Sequence, residues 1–109
     1  MSNIVGFRRK VITFVAGNLT QQIETSKTFT HQIEIYPASG NSGSVYIGNK
    51  DVDATWIPRA KNTYTVFTAS EKGDTTGGGD YFDLSQVYVY GATAGDVVTI
   101  QYLKIETGV

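Results

Sequence analysis

The sequence predicts an all-β fold, a single-domain β-sandwich or jelly roll of about seven to eight strands. Three observations carry that expectation. The chain holds 11 Val, 9 Ile and 14 Thr against only 3 Leu and 7 Ala. A branched Cβ suits a pleated surface and loses rotamer freedom in a helix. Apolar residues recur with a period of two, and no stretch sustains the 3.6-residue period of an amphipathic helix. Finally, the 12 glycines, against the usual ~7% of a chain, punctuate it with turns every ~8–12 residues.

Taken in order, residues 1–10 read as an extended N-terminal arm and residues 11–109 as the sandwich domain. The arm offers Ile4, Val5 and Phe7 as apolar anchors before the basic run Arg8-Arg9-Lys10. Ordering a backbone costs ~1–2 kcal/mol per residue, so the arm is expected to order by docking on a neighbouring subunit. Residues 10–16 form an apolar strand closed by the turn pair Gly17-Asn18. Residues 28–36 alternate, with Phe29, His31, Ile33 and Ile35 on one face and Thr30, Gln32, Glu34 and Tyr36 on the other. Pro37 stops that strand because it cannot donate to a ladder.

A loop over residues 38–43 leads into the strand Ser44-Val45-Tyr46-Ile47-Gly48, which turns through Asn49-Lys50-Asp51 into a short strand, Val52-Asp53-Ala54. Residues 62–69 alternate again, with Tyr64 and Val66 opposed to Thr65 and Phe67. Residues 73–80, which include three consecutive glycines, read as the most flexible loop. Asp83 is placed to cap a single 3₁₀ turn, Leu84-Ser85-Gln86. Two strands follow, residues 86–90 and 96–105. The expected core is Ile33, Ile35, Val45, Ile47, Val66, Val87, Val89, Val98 and Ile100.

Little here supports chemistry. Without cysteine there is no disulfide, thiolate metal site or thiol nucleophile. The single histidine, His31, reads as a core or subunit-contact residue, and no nucleophile motif accompanies it. Asp51 and Asp53, two apart, share one solvated face rather than forming an acid–base dyad. Asp74, Asp80 and Asp83 match no calcium-loop spacing. Gly77-Gly78-Gly79 lacks the lysine and the following helix of a phosphate loop. No catalytic residue, metal or cofactor is therefore expected.

A net charge of −1 does not mark the chain as a nucleic-acid binder. Three basic residues in a row make too few phosphate contacts to change that. The N-terminus has a basic cluster after a short apolar stretch, the reverse of a secretory signal, and no run is long enough for a membrane span. Charged residues are 17% of the chain, against ~25% in an average soluble domain, which fits a surface partly covered by partners. With Val45, Ile47, Val87 and Val89 inward, Tyr46, Tyr88 and Tyr90 face outward, and Trp56 follows a turn. Outward Tyr and Trp supply rigid contact area with a polar tip. Together with Arg8, Arg9 and Lys10 they are the candidate interface residues.

The succession Ser44-Val45-Tyr46-Ile47-Gly48, Val52-Asp53-Ala54-Thr55, Ile57-Pro58, Thr63-Tyr64-Thr65-Val66, Asp83-Leu84-Ser85-Gln86-Val87-Tyr88-Val89 and Gly95-Asp96-Val97-Val98 resembles small all-β accessory proteins of tailed bacteriophage virions. The resemblance covers residues 44–103 and departs after Pro58, where the glycine of that pattern is missing. It implies a non-enzymatic virion structural protein, a capsid decoration or cement protein bridging shell subunits. Its partners would be the major capsid protein or other virion subunits and further copies of itself, with no nucleic acid and no membrane. Its place would be the virion, assembled in the host cytoplasm. A carbohydrate-binding module of a tail or fibre, using Trp56 and the tyrosines to stack on sugars, is the alternative. A neck or tail component is a weaker one, and a small hydrolase the weakest.

Overall fold

In a computed structural model, described over residues 3–69 and 81–106, the alternation resolves into two antiparallel sheets. The larger runs β1 (Asn3–Thr13), β8 (Val97–Glu106), β3 (Phe29–Pro37), β5 (Thr65–Thr68), with β6 (Phe82–Asp83) also pairing with β3. The smaller runs β2 (Thr20–Gln22), β7 (Tyr88–Gly91), β4 (Val45–Gly48). Eight strands in two sheets, with almost no helix, make the all-β sandwich that the composition predicts. The glycine-rich loop over residues 73–80 lies outside the described residues.

The core is what the two inner faces bury between them. From the larger sheet come Ile12, Ile33, Ile35, Val98, Ile100 and Tyr102; from the smaller, Val45 and Val89. Ile23 and Leu84 are also buried, and Ile47, Phe67, Phe82 and Val87 pack partly exposed against the cluster. On the last strand the expected core residues Val98 and Ile100 are buried, with Tyr102 on the same face. Asp83 accepts from the Ser85 N–H at 3.0 Å as the expected cap of the 3₁₀ turn Leu84–Gln86.

Phe14 locks the sheets together. It is fully buried, and its ring lies so close over Gly91 that a Cβ there would stand 2.2 Å from the ring's Cδ2. Beside it, Phe14 N–H donates to the Asp96 carbonyl (2.9 Å) and Gly95 N–H donates to the Phe14 carbonyl (2.7 Å). The buried Asp96 carboxylate then accepts from the backbone N–H groups of Ser42 (2.9 Å) and Gly43 (2.8 Å). Asn41 adds a reciprocal pair to the Val97 backbone, both bonds at 2.8 Å. One end of the sandwich is thereby pinned by buried polar groups that all have partners, the condition under which they stabilise.

Four expectations need correction. Residues 3–10 are not an arm: they pair with β8 within the same chain, so a boundary at residue 10 falls inside a continuous strand. A sheet partner supplies the hydrogen bonds that apolar anchors alone could not. His31 is exposed and not in the core, because the β3 register shifts between Thr30 and Ile33. Thr30, fully buried, closes a local ring with Gln32, donating to its carbonyl (2.9 Å) and accepting from its N–H (3.2 Å). That extra step flips the phase. Val66 is 41% exposed, since Phe67 and Thr65 pair with Ile33 and Ile35 and so take the inner face of β5. Residues 52–54 form no strand: Val52 is buried between two side-chain turns, Asn49 accepting from Asp51 N–H (2.8 Å) and Asp53 from Thr55 N–H (2.9 Å).

Two outcomes are expected. Gly91→Ala should lower stability by ~1–3 kcal/mol, the usual cost of overpacking, read as a lower urea midpoint and partly relieved by Phe14→Leu. Deleting residues 2–10 should lower the melting temperature of the isolated protein, because β8 loses most of one ladder. An unchanged melting temperature would show that this part of β1 adds nothing to the fold.

Candidate functional site

Strand pairing collects the tyrosines. Residues directly opposite in an antiparallel pair present their side chains on the same face. Tyr46 pairs with Tyr90, Tyr90 with Thr20, Tyr88 with both Gly48 and Gln22. Val45, Val89 and Gly91 are buried on the other side. Tyr46, Tyr88 and Tyr90 therefore stand together on the outer face of the smaller sheet. The Tyr46 and Tyr90 rings lie 5.8 Å apart at 49°, within the range of a favourable aromatic pair.

Trp56 joins them through a glycine. A Cβ on Gly48 would stand 2.4 Å from the Trp56 ring, so the indole occupies the place of the missing side chain. Gly48 follows Tyr46 by two residues and pairs with Tyr88, which puts the indole on the same face as these tyrosines. Trp56 is 37% exposed and the three tyrosines are half-buried. Among the described residues, the strands present only Thr20, Gln22, Gly48 and tyrosines here, with no charged group. Sequence reasoning picked out all four aromatics but missed Gly48 as the seat that holds Trp56; its position two residues after Tyr46 was the available signal.

The loop that delivers Trp56 is fastened at both ends. Asp53 accepts from both the N–H and the hydroxyl of Thr55, which holds its carboxyl below the ordinary value. Further on, Val45 and Arg59 exchange backbone hydrogen bonds at 3.0 and 2.8 Å. The Arg59 guanidinium lies over the Phe67 ring, 4.9 Å from its centroid, a cation–π contact. Asp53 thus serves a turn through its carboxylate, whereas Asp51 takes part in one only through its backbone N–H.

The basic run does not make one patch. The β8 residues opposite Arg8 and Lys10 are the buried Tyr102 and Ile100, whereas Arg9 pairs with the exposed Gln101. Arg8 and Lys10 accordingly lie along the rim of the inner side, with Arg9 on the outer side. Lys10 sits 3.5 Å from Glu24, whose other oxygen accepts from the Tyr102 hydroxyl at 2.5 Å. Burial, reinforced by the Glu24 bond and charge, pushes the Tyr102 hydroxyl well above the ordinary tyrosine range. This cluster ties β1 and β8 to the segment after β2.

His31 borders a shallow groove of about 550 Å³ with Phe7, Glu34, Gln101 and Leu103. Asp83 is committed to the 3₁₀ turn, and Asp74 and Asp80 lie outside the described residues. No group of three or more metal-ligating side chains occurs among the described residues, and no described helix is long and apolar enough to cross a membrane. Comparison with family models, curated proteins and solved structures yields no match.

Asp83 gives a pH signature. Burial raises its carboxyl, but bonds from Ser85 and Thr28 and the charge of Lys27 outweigh this, leaving it below the ordinary value. A carboxyl depressed by folding stabilises above its unfolded value of ~3.9, and that contribution is lost as pH falls through the folded value. Asp83→Asn should therefore be less stable than the wild type at neutral pH and lose less stability on acidification below pH ~4. Urea midpoints measured across that window check both statements.

Proposed function

We propose that this protein is a non-catalytic attachment module that docks on a larger protein assembly through the outer face of its smaller sheet. The observation that carries this reading is the uncharged cluster of Tyr46, Tyr88, Tyr90 and Trp56. Rings of this kind contribute buried area at ~25 cal/mol per Å², and each hydroxyl or indole N–H can still find a partner at the boundary. The virion resemblance of residues 44–103 suggests which assembly: a phage capsid, decorated or cemented by this chain, with the major capsid protein as partner.

The size of the face bears on how it would act. Three strands of three or four residues, at ~3.3 Å per residue and ~4.8 Å apart, cover roughly 170 Å². A specific interface takes ~800 Å² from each partner. Attachment through this face therefore calls for the flanking loop, where Ile57 is 68% exposed, and for several copies acting together. A homo-oligomer bridging neighbouring shell subunits meets that requirement. The second reading, sugar binding, is favoured by the indole packed on Gly48, on the same face as the tyrosines.

Co-sedimentation with empty capsids tests the first reading. Binding should persist at ~1 M salt, because neutral contacts are not screened. Tyr88→Ala or Tyr90→Ala should weaken it roughly tenfold, the size expected of an interface anchor, with the isolated fold retained. Release at moderate salt with both substitutions neutral would move the contact to Arg8, Arg9 and Lys10. Selective binding on a glycan array, without capsid binding, would replace attachment by carbohydrate recognition.

A further inference from the structure

Among the described residues five strands border the two sheets, and four of them have little open edge, the two-residue β6 included. β5 has four residues and β2 has three, while β4 is closed at Val45 by the paired backbone bonds of Arg59. β1 is different. It runs for 11 residues and, among the described residues, pairs only with β8.

The pairing shows which backbone groups face outward. In an antiparallel ladder the groups of alternate residues point to the same side. Phe14 N–H donates to Asp96, and the same register sets Ile12 opposite Val98, Lys10 opposite Ile100 and Arg8 opposite Tyr102. Even-numbered residues of this stretch therefore bond toward β8, and Phe7, Arg9, Val11 and Thr13 turn their N–H and C=O groups to the open side. The Thr13 carbonyl agrees, accepting from Gln21 Nε2 at 3.0 Å, and the Phe7 carbonyl accepts from Arg8 Nη1 at 3.1 Å. Nothing among the described residues bonds to the outward groups of Arg9 and Val11.

The side chains say what kind of strand fits. Phe7 and Val11 are 81% and 52% exposed and bracket Arg8, Arg9 and Lys10. We propose that the open edge of β1 is a docking site for an extended acidic segment of a partner protein, which adds as a further strand beside residues 7–11. Cross-strand partners share a face, so the complementary strand carries acidic residues at three successive positions between two apolar ones. That pattern reads the same in both directions and accepts either strand polarity. A second copy of β1 is disfavoured, since antiparallel pairing centred on Arg9 sets Arg9 against Arg9 and Arg8 against Lys10. Charges on an edge commonly guard against self-pairing; here the same charges select an acidic occupant. The site belongs to the other sheet from the aromatic face and does not rest on the reading of that face. Two separate surfaces would let one molecule join two neighbours.

The test uses the full chain and a labelled peptide of about ten residues with Val-Glu-Asp-Glu-Val at its centre, against a Val-Lys-Lys-Lys-Val control. The acidic peptide should bind, the basic one should not, and ~0.5 M salt should weaken binding about tenfold. In hydrogen exchange, binding should slow the Arg9 and Val11 amides while those bonded to β8 change little. A variant carrying Arg8→Glu and Arg9→Glu should exchange the two peptides' preferences; if it does not fold, amide protection in the wild type still decides. Failure to bind, or binding without protection of those amides, overturns the strand-addition site. Protection that instead grows with protein concentration, without peptide, assigns the edge to a second copy. Tyr88→Ala should leave peptide binding unchanged, which separates this site from the aromatic face.

Discussion

The sandwich depends on one close contact, the Phe14 ring against the backbone of Gly91. Phe14 directly follows β1 of the larger sheet and Gly91 ends β7 of the smaller, so this contact joins the two layers. It requires a missing side chain on one partner and a large flat one on the other. Packed interiors cannot absorb an added methyl at 2.2 Å without displacing the Phe14 ring or a backbone. Asp96 and Asn41 secure the same end through bonds to the backbone of Ser42, Gly43 and Val97. With its inner face committed there, the smaller sheet can turn only its other face outward.

A second glycine repeats the device on the opposite side. Gly48 seats Trp56 outside as Gly91 seats Phe14 inside. The smaller sheet is therefore a thin plate holding one large aromatic against each surface. Arg59 steadies the outer arrangement by bonding to Val45 and lying across Phe67, which links the loop carrying Trp56 to both sheets. An aromatic cluster held this way loses little further rotamer freedom when a partner covers it, the cost that most weakens docking by long flexible side chains.

The two outward features differ in physics. Contact with the aromatic plate would gain from burial, which salt does not screen, whereas the β1 edge offers outward backbone groups beside three cationic side chains whose reach falls with ionic strength. Lys10 is half committed already through Glu24 and Tyr102. That polar cluster lies at the rim of the core, while strand alternation turns Arg9 to the outer side.

By itself the sequence determined the fold class and the buried positions Ile33, Ile35, Val45, Val89, Val98 and Ile100, because these follow from local chemistry: branched side chains, a period of two, and glycine at turns. Ile12, Phe14, Ile23 and Leu84 joined the core without such a signal. The sequence also singled out Tyr46, Tyr88 and Tyr90 together, since alternation about Val45, Val89 and their neighbours needs no long-range information. The 3₁₀ turn after Asp83 was legible for the same reason. What only the tertiary structure decided are features set by partners distant in sequence. Residues 3–10 become a strand because β8, some ninety positions on, supplies their hydrogen bonds. Val66 turns outward because pairing with β3 assigns Phe67 the inner face. His31 leaves the core through a one-residue register shift, and a shift of one reverses every side chain that follows. Trp56 reaches the tyrosines through a gap at Gly48 that only the folded chain brings beneath it. Alternation is written in neighbours along the chain; phase and pairing are set across it.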